Sequence, residues 1–145
     1  MIRTARADDL PAITHVRISV VENHMSVAQM AERGITPAST AAAMAAGDLG
    51  AWVAEEDGEI VAFAMADRRD ASIFALFTLP GREGRGYGSA LLARAEAWLV
   101  EMGHREAWLT TATGSRAAAF YALKGWRMTE EGDPGDTFFR KTLTG

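Results

Sequence analysis

The sequence predicts one α/β (α+β) domain over residues 1–145, with about seven strands and about four helices. Two observations predict this class. Apolar runs of strand length alternate with helical stripes, and every connection between them is short. The expected order is β-α-α-β-β-β-α-β-α-β-β. A third observation, a glycine-rich run between an apolar strand and a helix, bears on function.

The N-terminal part of the chain predicts one strand and two helices. Residues 2–6 have the length of a short strand. The apolar residues that follow recur with helical spacing, so a helix is expected after an N-cap at Asp8 or Asp9. The segment 22–36 is mixed and polar, and the alanine-rich residues 39–46 predict a second helix.

The middle of the chain predicts three strands and one long helix. Residues 51–55 and 60–66 flank Asp57-Gly58, and Asp-Gly between apolar runs is a strong hairpin signal. Residues 73–79 form the third apolar run, which Pro80 ends. After the glycine-rich run, one helical stripe holds Leu91, Leu92, Ala95, Leu99 and Met102.

The C-terminal part predicts a strand, a helix and two closing strands. Residues 107–111 are a further apolar run, and residues 115–123 have helical composition before Lys124-Gly125. Short strands are expected at 126–128 and 137–140, with turn residues between them.

Composition excludes several classes of function. The formal charge is −4, which argues against general nucleic-acid binding, and there is no cysteine for a disulfide, a thiolate metal site or a nucleophile. His15, His24 and His104 lack metal-ligand spacing, so no metal is expected. No apolar run reaches the ~18 residues of a membrane span. The first six residues lack the apolar core of a signal peptide, and a soluble cytoplasmic protein is expected.

The glycine-rich run spans Gly81 to Gly88 and contains two arginines. A strand that turns through glycines into a helix exposes backbone N–H groups at the positive end of the helix dipole, which predicts a phosphate site. The alternative is an ordinary flexible loop. The run does not match the P-loop pattern, because Tyr87-Gly88 occupies the positions where that pattern requires Lys and then Ser or Thr. A dinucleotide fingerprint also fails, because Ser89 replaces its third glycine.

Two motifs carry a resemblance to a known family. Residues 83–88, Glu-Gly-Arg-Gly-Tyr-Gly, occupy the pattern [Q/R]-x-x-G-x-[G/A], and Phe77 to Pro80 resembles the strand end that precedes it. Residues 114–126 fit N-x-x-A-x-x-F-Y-x-x-x-G-F with two changes. Because the two motifs occur in this order and at this distance, the chain resembles the GNAT superfamily of N-acetyltransferases along nearly its whole length.

The resemblance implies a mixed central sheet and direct transfer of acetyl from acetyl-coenzyme A to an amine. It implies that the strand splays at Thr78 to bind the pantetheine arm, and that Tyr121 protonates the leaving thiolate. Without the resemblance, packing of the Tyr121 ring is the simpler interpretation. The implied cofactor residues are Phe77, Thr78, Gly84, Arg85, Gly86, Tyr87, Gly88 and Ser89.

The chain departs from the family pattern at two positions. Glu83 replaces Gln or Arg beside the expected pyrophosphate, so backbone N–H groups and Arg82 or Arg85 are expected to supply the attraction. Gly114 replaces the asparagine that holds the pantetheine arm. These departures favour an alternative function, a non-catalytic acyl-coenzyme A-binding or regulatory module.

The acceptor side is the least defined part of the prediction. Glu22 and His24 lie in a segment that lines the acceptor pocket in the family, although a solvated loop is the alternative. Glu55 and Asp67 are weaker candidates for the general base, and a water chain can take the place of a single base. The acceptor is expected to be a small-molecule or protein amine. The resemblance also implies a homodimer.

Overall fold

The computed structural model describes residues 1–20, 25–131 and 135–144. It contains one seven-stranded mixed sheet and five α-helices, and a 3₁₀ turn at Ala7–Asp9 precedes the first helix. The strands are β1 (Ile2–Thr4), β2 (Leu49–Glu56), β3 (Glu59–Asp67), β4 (Ser72–Thr78), β5 (Glu106–Ala112), β6 (Arg127–Glu131) and β7 (Asp136–Thr142). The helices are α1 (Leu10–Ser19), α2 (Val27–Glu32), α3 (Pro37–Ala45), α4 (Tyr87–Glu101) and α5 (Arg116–Leu123). The predicted fold class is confirmed.

The sheet has the strand order β1-β2-β3-β4-β5-β7-β6. Its neighbours are antiparallel except for the central pair β4 and β5, which is parallel. The predicted hairpin joins β2 to β3 through Asp57 and Gly58, whose φ angles of 52° and 79° are both positive. Two positive φ angles between paired strands are the signature of a type I′ turn, which Asp-Gly favours.

Strands β4 and β5 diverge almost at once. Their only paired residues are Ser72 and Trp108, at the beginning of β4. On its other edge, β4 pairs with β3 from Ser72 to Thr78, with one bulge at Phe74. The sheet is therefore open between β4 and β5 toward Thr78, and that opening positions the candidate site.

Helix α4 supplies much of the core. It packs on β2, β3 and β4, and Leu91, Leu92, Ala95 and Leu99 are at most 2% exposed. Met102 was predicted on the same stripe but is 39% exposed. It is the C-cap of α4, where the chain leaves the helical direction.

Helix α2 lies in the mixed, polar segment 22–36, to which the sequence assigned no helix. Its N-cap Ser26 accepts a hydrogen bond from the Gln29 backbone, and the Gln29 side chain accepts one from the Ser26 backbone. This capping box was the available signal. The pattern of apolar residues gave no signal for this helix, because Met30 is the only buried residue among its six residues. Within the described ranges, no helix combines the length and apolar character needed to cross a bilayer.

Candidate active site

The glycine-rich loop connects β4 to the N-terminus of α4. Gly84 and Gly86 have φ angles of 77° and 84°, a left-handed conformation that glycine adopts at little cost, and Gly86 is the N-cap of α4. The backbone N–H groups of residues 84–89 have no hydrogen-bond acceptor among the described residues. These donors lie at the positive end of a 15-residue helix, so the loop is suited to an anion.

A first cavity of about 500 Å³ lies between this loop, the open end of β4 and helix α5. It also contacts Arg116 and Tyr121 of α5. The residues that the sequence assigned to the cofactor all line it: Phe77, Thr78, Gly84, Arg85, Gly86, Tyr87, Gly88 and Ser89. The cavity therefore brings one edge of a splayed strand and a loop suited to an anion into one space.

The two arginines of the loop are already paired with carboxylates. Arg82 and Arg85 each donate to Oε1 of Glu56, at 3.2 and 2.5 Å, and the Tyr87 hydroxyl donates to Oε2. Arg82 also contacts Glu59 at 3.1 Å. The Tyr87 and Arg85 hydrogen bonds lower the pKa of Glu56, which is therefore ionised at neutral pH. Sequence reasoning assigned these arginines to the phosphate because it could not place the Glu56 hairpin beside the loop.

Glu83 lines the first cavity but is held by local contacts. Its Oε1 accepts from the Gly81 backbone N–H at 2.6 Å, and its Oε2 lies 3.8 Å from Nη1 of Arg116. Backbone hydrogen bonds and, to a smaller extent, Arg116 lower the pKa of Glu83. Arg116 was missed by the sequence analysis. The available signal was its position as a cation in the second motif, at the first residue of α5.

Tyr121 is buried in α5 and lines the wall of the first cavity. It is 6% exposed, and its ring packs against Phe120 and Trp126 with centroid separations of 5.5 and 6.0 Å. Its hydroxyl has no hydrogen-bond partner among the described residues. Burial raises its pKa, because the charged phenolate loses hydration. Tyr121 therefore remains a hydrogen-bond donor throughout the physiological pH range.

A second cavity of about 560 Å³ lies between α1, the α2–α3 segment and strands β3, β4 and β5. The two cavities share four lining residues, Leu76, Phe77, Ala117 and Tyr121. They therefore meet at the opening between β4 and β5. Tyr121 belongs to the walls of both.

Two of the four candidate general bases are described, and both lie outside the two cavities. Glu22 and His24 lie outside the described residues. Glu55 pairs with Arg3 and Asp67 pairs with Arg69, and neither carboxylate lines a described cavity. Asp136, which sequence reasoning missed in a turn, lines the second cavity.

The second motif departs from the family pattern at Gly114, where the structure shows a φ angle of 72°. Glycine and asparagine are the residues that adopt this conformation most easily, so the exchange preserves the backbone and removes only the side-chain amide. Within the described part of the chain, no group of three or more His, Asp or Glu side chains is arranged to hold a metal ion.

Comparisons with known proteins agree with this geometry. An uncharacterized N-acetyltransferase of Mycobacterium tuberculosis (strain ATCC 25618 / H37Rv) is 35% identical over 79 residues, 52% of this chain and 51% of that protein. One from Archaeoglobus fulgidus is 36% identical over 97 residues, 59% of this chain and 65% of that protein. The chain thus spans about half to two-thirds of the length of these curated relatives.

The structural comparison extends over nearly the whole chain. The PaiA N-acetyltransferase of Thermoplasma acidophilum, solved in complex with coenzyme A, matches with a TM-score of 0.77 and 18% identity. That match covers 99% of this chain and 98% of the other. The sequence profile described as the acetyltransferase (GNAT) family matches residues 20–126. The chain therefore belongs to the GNAT family of acetyltransferases.

Proposed function

We propose that this protein transfers an acetyl group from acetyl-coenzyme A to a primary amine. One observation carries the proposal: two cavities meet at the β4–β5 opening, and one of them is lined by a loop of free backbone N–H groups. The coenzyme A in the T. acidophilum relative supports the choice of cosubstrate.

The first cavity would hold the cofactor. The N–H groups of residues 84–89 would bind the pyrophosphate, since they converge at a helix N-terminus. The pantetheine arm would lie along Phe77 and Thr78 like an added strand, because β5 leaves that edge of β4 unpaired. An N–H group at Thr78 would polarise the thioester carbonyl.

The second cavity would hold the acceptor amine. In the reaction, the neutral amine nitrogen attacks the thioester carbon, the carbonyl oxygen becomes an oxyanion, and the carbon–sulfur bond then breaks. The thiolate receives a hydrogen bond and finally a proton from Tyr121, whose raised pKa keeps the phenol protonated until then. The proton lost by the amine leaves through water, or to Asp136 of the same cavity.

The alternative is a non-catalytic acyl-coenzyme A-binding or regulatory module, and the Glu83 carboxylate at the cofactor cavity favours it. Calorimetric titration with acetyl-coenzyme A, followed by a thiol-release assay over a panel of amines and peptide N-termini, separates the two. Release of coenzyme A that depends on the amine supports the enzyme. Tight binding without release on any amine supports the module, and no binding rejects both. The homodimer and the cytoplasmic location stay predictions.

A further inference from the structure

The second cavity is lined by two arginines that have no counter-ion in the part of the chain that the structure describes. Arg17 of α1 and Arg33, in the turn after α2, both line it. Neither has a carboxylate partner among the described residues. This contrasts with Arg82 and Arg85 at the first cavity, which share the Glu56 carboxylate.

Arg17 is the more unusual of the two. Its Nη1 atom is buried and makes no hydrogen bond, and among the described side chains it is the one buried polar atom left unsatisfied. Burial, and then the nearby positive charge of Arg33, lower the pKa of Arg17. A buried guanidinium donor without an acceptor is costly, and such exceptions in native folds call for a missing partner.

The position of Arg17 relates this donor to the acetyl-transfer site. Its guanidinium carbon lies 4.2 Å from the ring centroid of Phe77, and Phe77 lines both cavities. The ring shields the guanidinium on one side, while the N–H donors of a guanidinium point outward in its own plane. A carboxylate is planar and accepts two parallel hydrogen bonds from that edge, which makes it the best-matched anion.

The charges of the cavity also suit a zwitterion. Asp136 is the one carboxylate among its described lining residues, and it lies on β7, beyond β5. Arg17 lies over β4, on the other side of the opening. An ammonium group is attracted to Asp136 and a carboxylate to Arg17 and Arg33, so a molecule carrying both groups finds complementary charge across the opening.

We propose that Arg17 and Arg33 form a carboxylate subsite and that the acceptor is a small amine that carries a carboxylate, such as a free amino acid. This inference rests on the proposed acetyl transfer, because it assigns the substrate class of the same site. Arg17 is then a specificity-determining residue, and Arg33 strengthens the local field from the exposed rim.

The test compares matched amines that differ only in the carboxylate. Thiol release is measured for amino acids of several chain lengths, for the corresponding amino acid amides and for the decarboxylated amines. The wild type is expected to favour the best acid over its amide in kcat/KM by roughly 10- to 100-fold, as expected for a charged hydrogen-bonded partner. Arg17→Gln should abolish this ratio, mainly through KM for the acid. Arg17→Lys should restore part of it, since lysine keeps the charge without the planar fork.

Two further variants protect the conclusion. Arg33→Gln changes an exposed residue, and should lower the ratio by about 3- to 10-fold. Arg94→Gln makes the same chemical change on an exposed part of α4 that lines neither cavity, and should leave the ratio unchanged. Equal turnover of acids and amides by the wild type, better turnover of peptide N-termini than of any amino acid, or an unchanged ratio in Arg17→Gln overturns the carboxylate subsite and leaves acetyl transfer intact.

If no amine is turned over, the proposed acetyl transfer fails and binding decides the carboxylate subsite separately. Calorimetry then measures the Kd of the same amino acids and amides with coenzyme A bound. Binding of an acid that is at least tenfold tighter than that of its amide, and that Arg17→Gln removes, supports the subsite. Absence of any preference for the acid rejects it.

Discussion

Replacing Tyr121 by phenylalanine separates catalysis from packing at this site. The hydroxyl is removed while the ring, which lies 5.5 Å from Phe120, 6.0 Å from Trp126 and 6.1 Å from Phe139 between centroids, keeps its contacts. The hydroxyl has no hydrogen-bond partner among the described residues and is not one of the buried polar atoms left unsatisfied, so its removal should change the stability of the native state little. The variant should therefore unfold with a free energy within about 1 kcal/mol of the wild type.

Turnover of the same variant should fall. Loss of a proton donor to the leaving group typically lowers the rate by ~10²–10⁴-fold, which corresponds to about 3–5 kcal/mol of transition-state stabilisation. The dissociation constant of acetyl-coenzyme A should change little. Single-turnover thiol release gives the rate of the chemical step, calorimetry gives the affinity, and urea unfolding gives the stability.

The pH dependence of stability adds an independent check. Burial raises the pKa of Tyr121 in the folded state, so its contribution to stability is complete below the unfolded value of about 10 and is lost as the pH rises above it. The wild type should lose this stability in alkali and Tyr121→Phe should not. Tyr87→Phe, the same change at the other tyrosine, should alter the affinity for the cofactor more than it alters turnover, because Tyr87 lines only the first cavity. Unchanged turnover in Tyr121→Phe would remove Tyr121 from the mechanism, whatever its effect on stability.

Three further predictions concern charge and backbone. Glu83→Gln keeps an oxygen for the Gly81 N–H and removes a negative charge, so the Kd of acetyl-coenzyme A should fall or stay constant in calorimetry; a large rise would contradict the proposed role of the loop. Gly86→Val should weaken the affinity for acetyl-coenzyme A at least tenfold. The control Gly103→Val introduces the same backbone strain at a φ angle of 93°, but Gly103 lines neither cavity, so this variant should retain the affinity. Equal losses of affinity in both variants would point to backbone strain alone. Asp9→Asn should lower the free energy of unfolding in urea by about 1–2 kcal/mol at pH 7, because Arg3 lowers the pKa of Asp9 to about 2. The difference between the variant and the wild type should vanish as the pH falls from about 4 toward 2. A difference that persists at about pH 2 would refute the ion pair as its cause.

The regular elements were predictable because their signals are local. The Asp57-Gly58 turn and the stripe on α4 depend on residues that are neighbours in sequence, and both formed as expected. Asp9 is the N-cap residue of α1, as predicted, but its side chain does not cap the helix. Its carboxylate accepts hydrogen bonds from Arg3 and from the Arg6 backbone instead. A charged partner within reach offers stronger hydrogen bonds than helix N–H groups do.

The candidate site was predictable only where a motif marks it. The loop and Tyr121 were found because each lies in a motif, and the structure brings both to one cavity. Arg17 gave no signal, because a lone arginine beside buried Val16 resembles any helix residue at a core boundary. Its significance depends on Phe77, which lies far along the chain and meets Arg17 only after β4 packs against α1.

The distribution of charge divides the two ligands between the two cavities. At the first cavity, Glu56 accepts hydrogen bonds from both loop arginines, so an incoming phosphate must compete with a carboxylate for them. Among the described residues, no acceptor competes for the backbone N–H groups of residues 84–89, and the fold holds these groups in place. At the second cavity, Arg17 has an unsatisfied donor instead. Raising the ionic strength should therefore weaken the binding of the acceptor more than the binding of the cofactor. The reason is that hydrogen bonds from backbone donors depend less on charge attraction than an ion pair does. That ordering, measured as KM for each substrate from low to high salt, follows only if anion recognition rests on the backbone in one cavity and on arginine in the other.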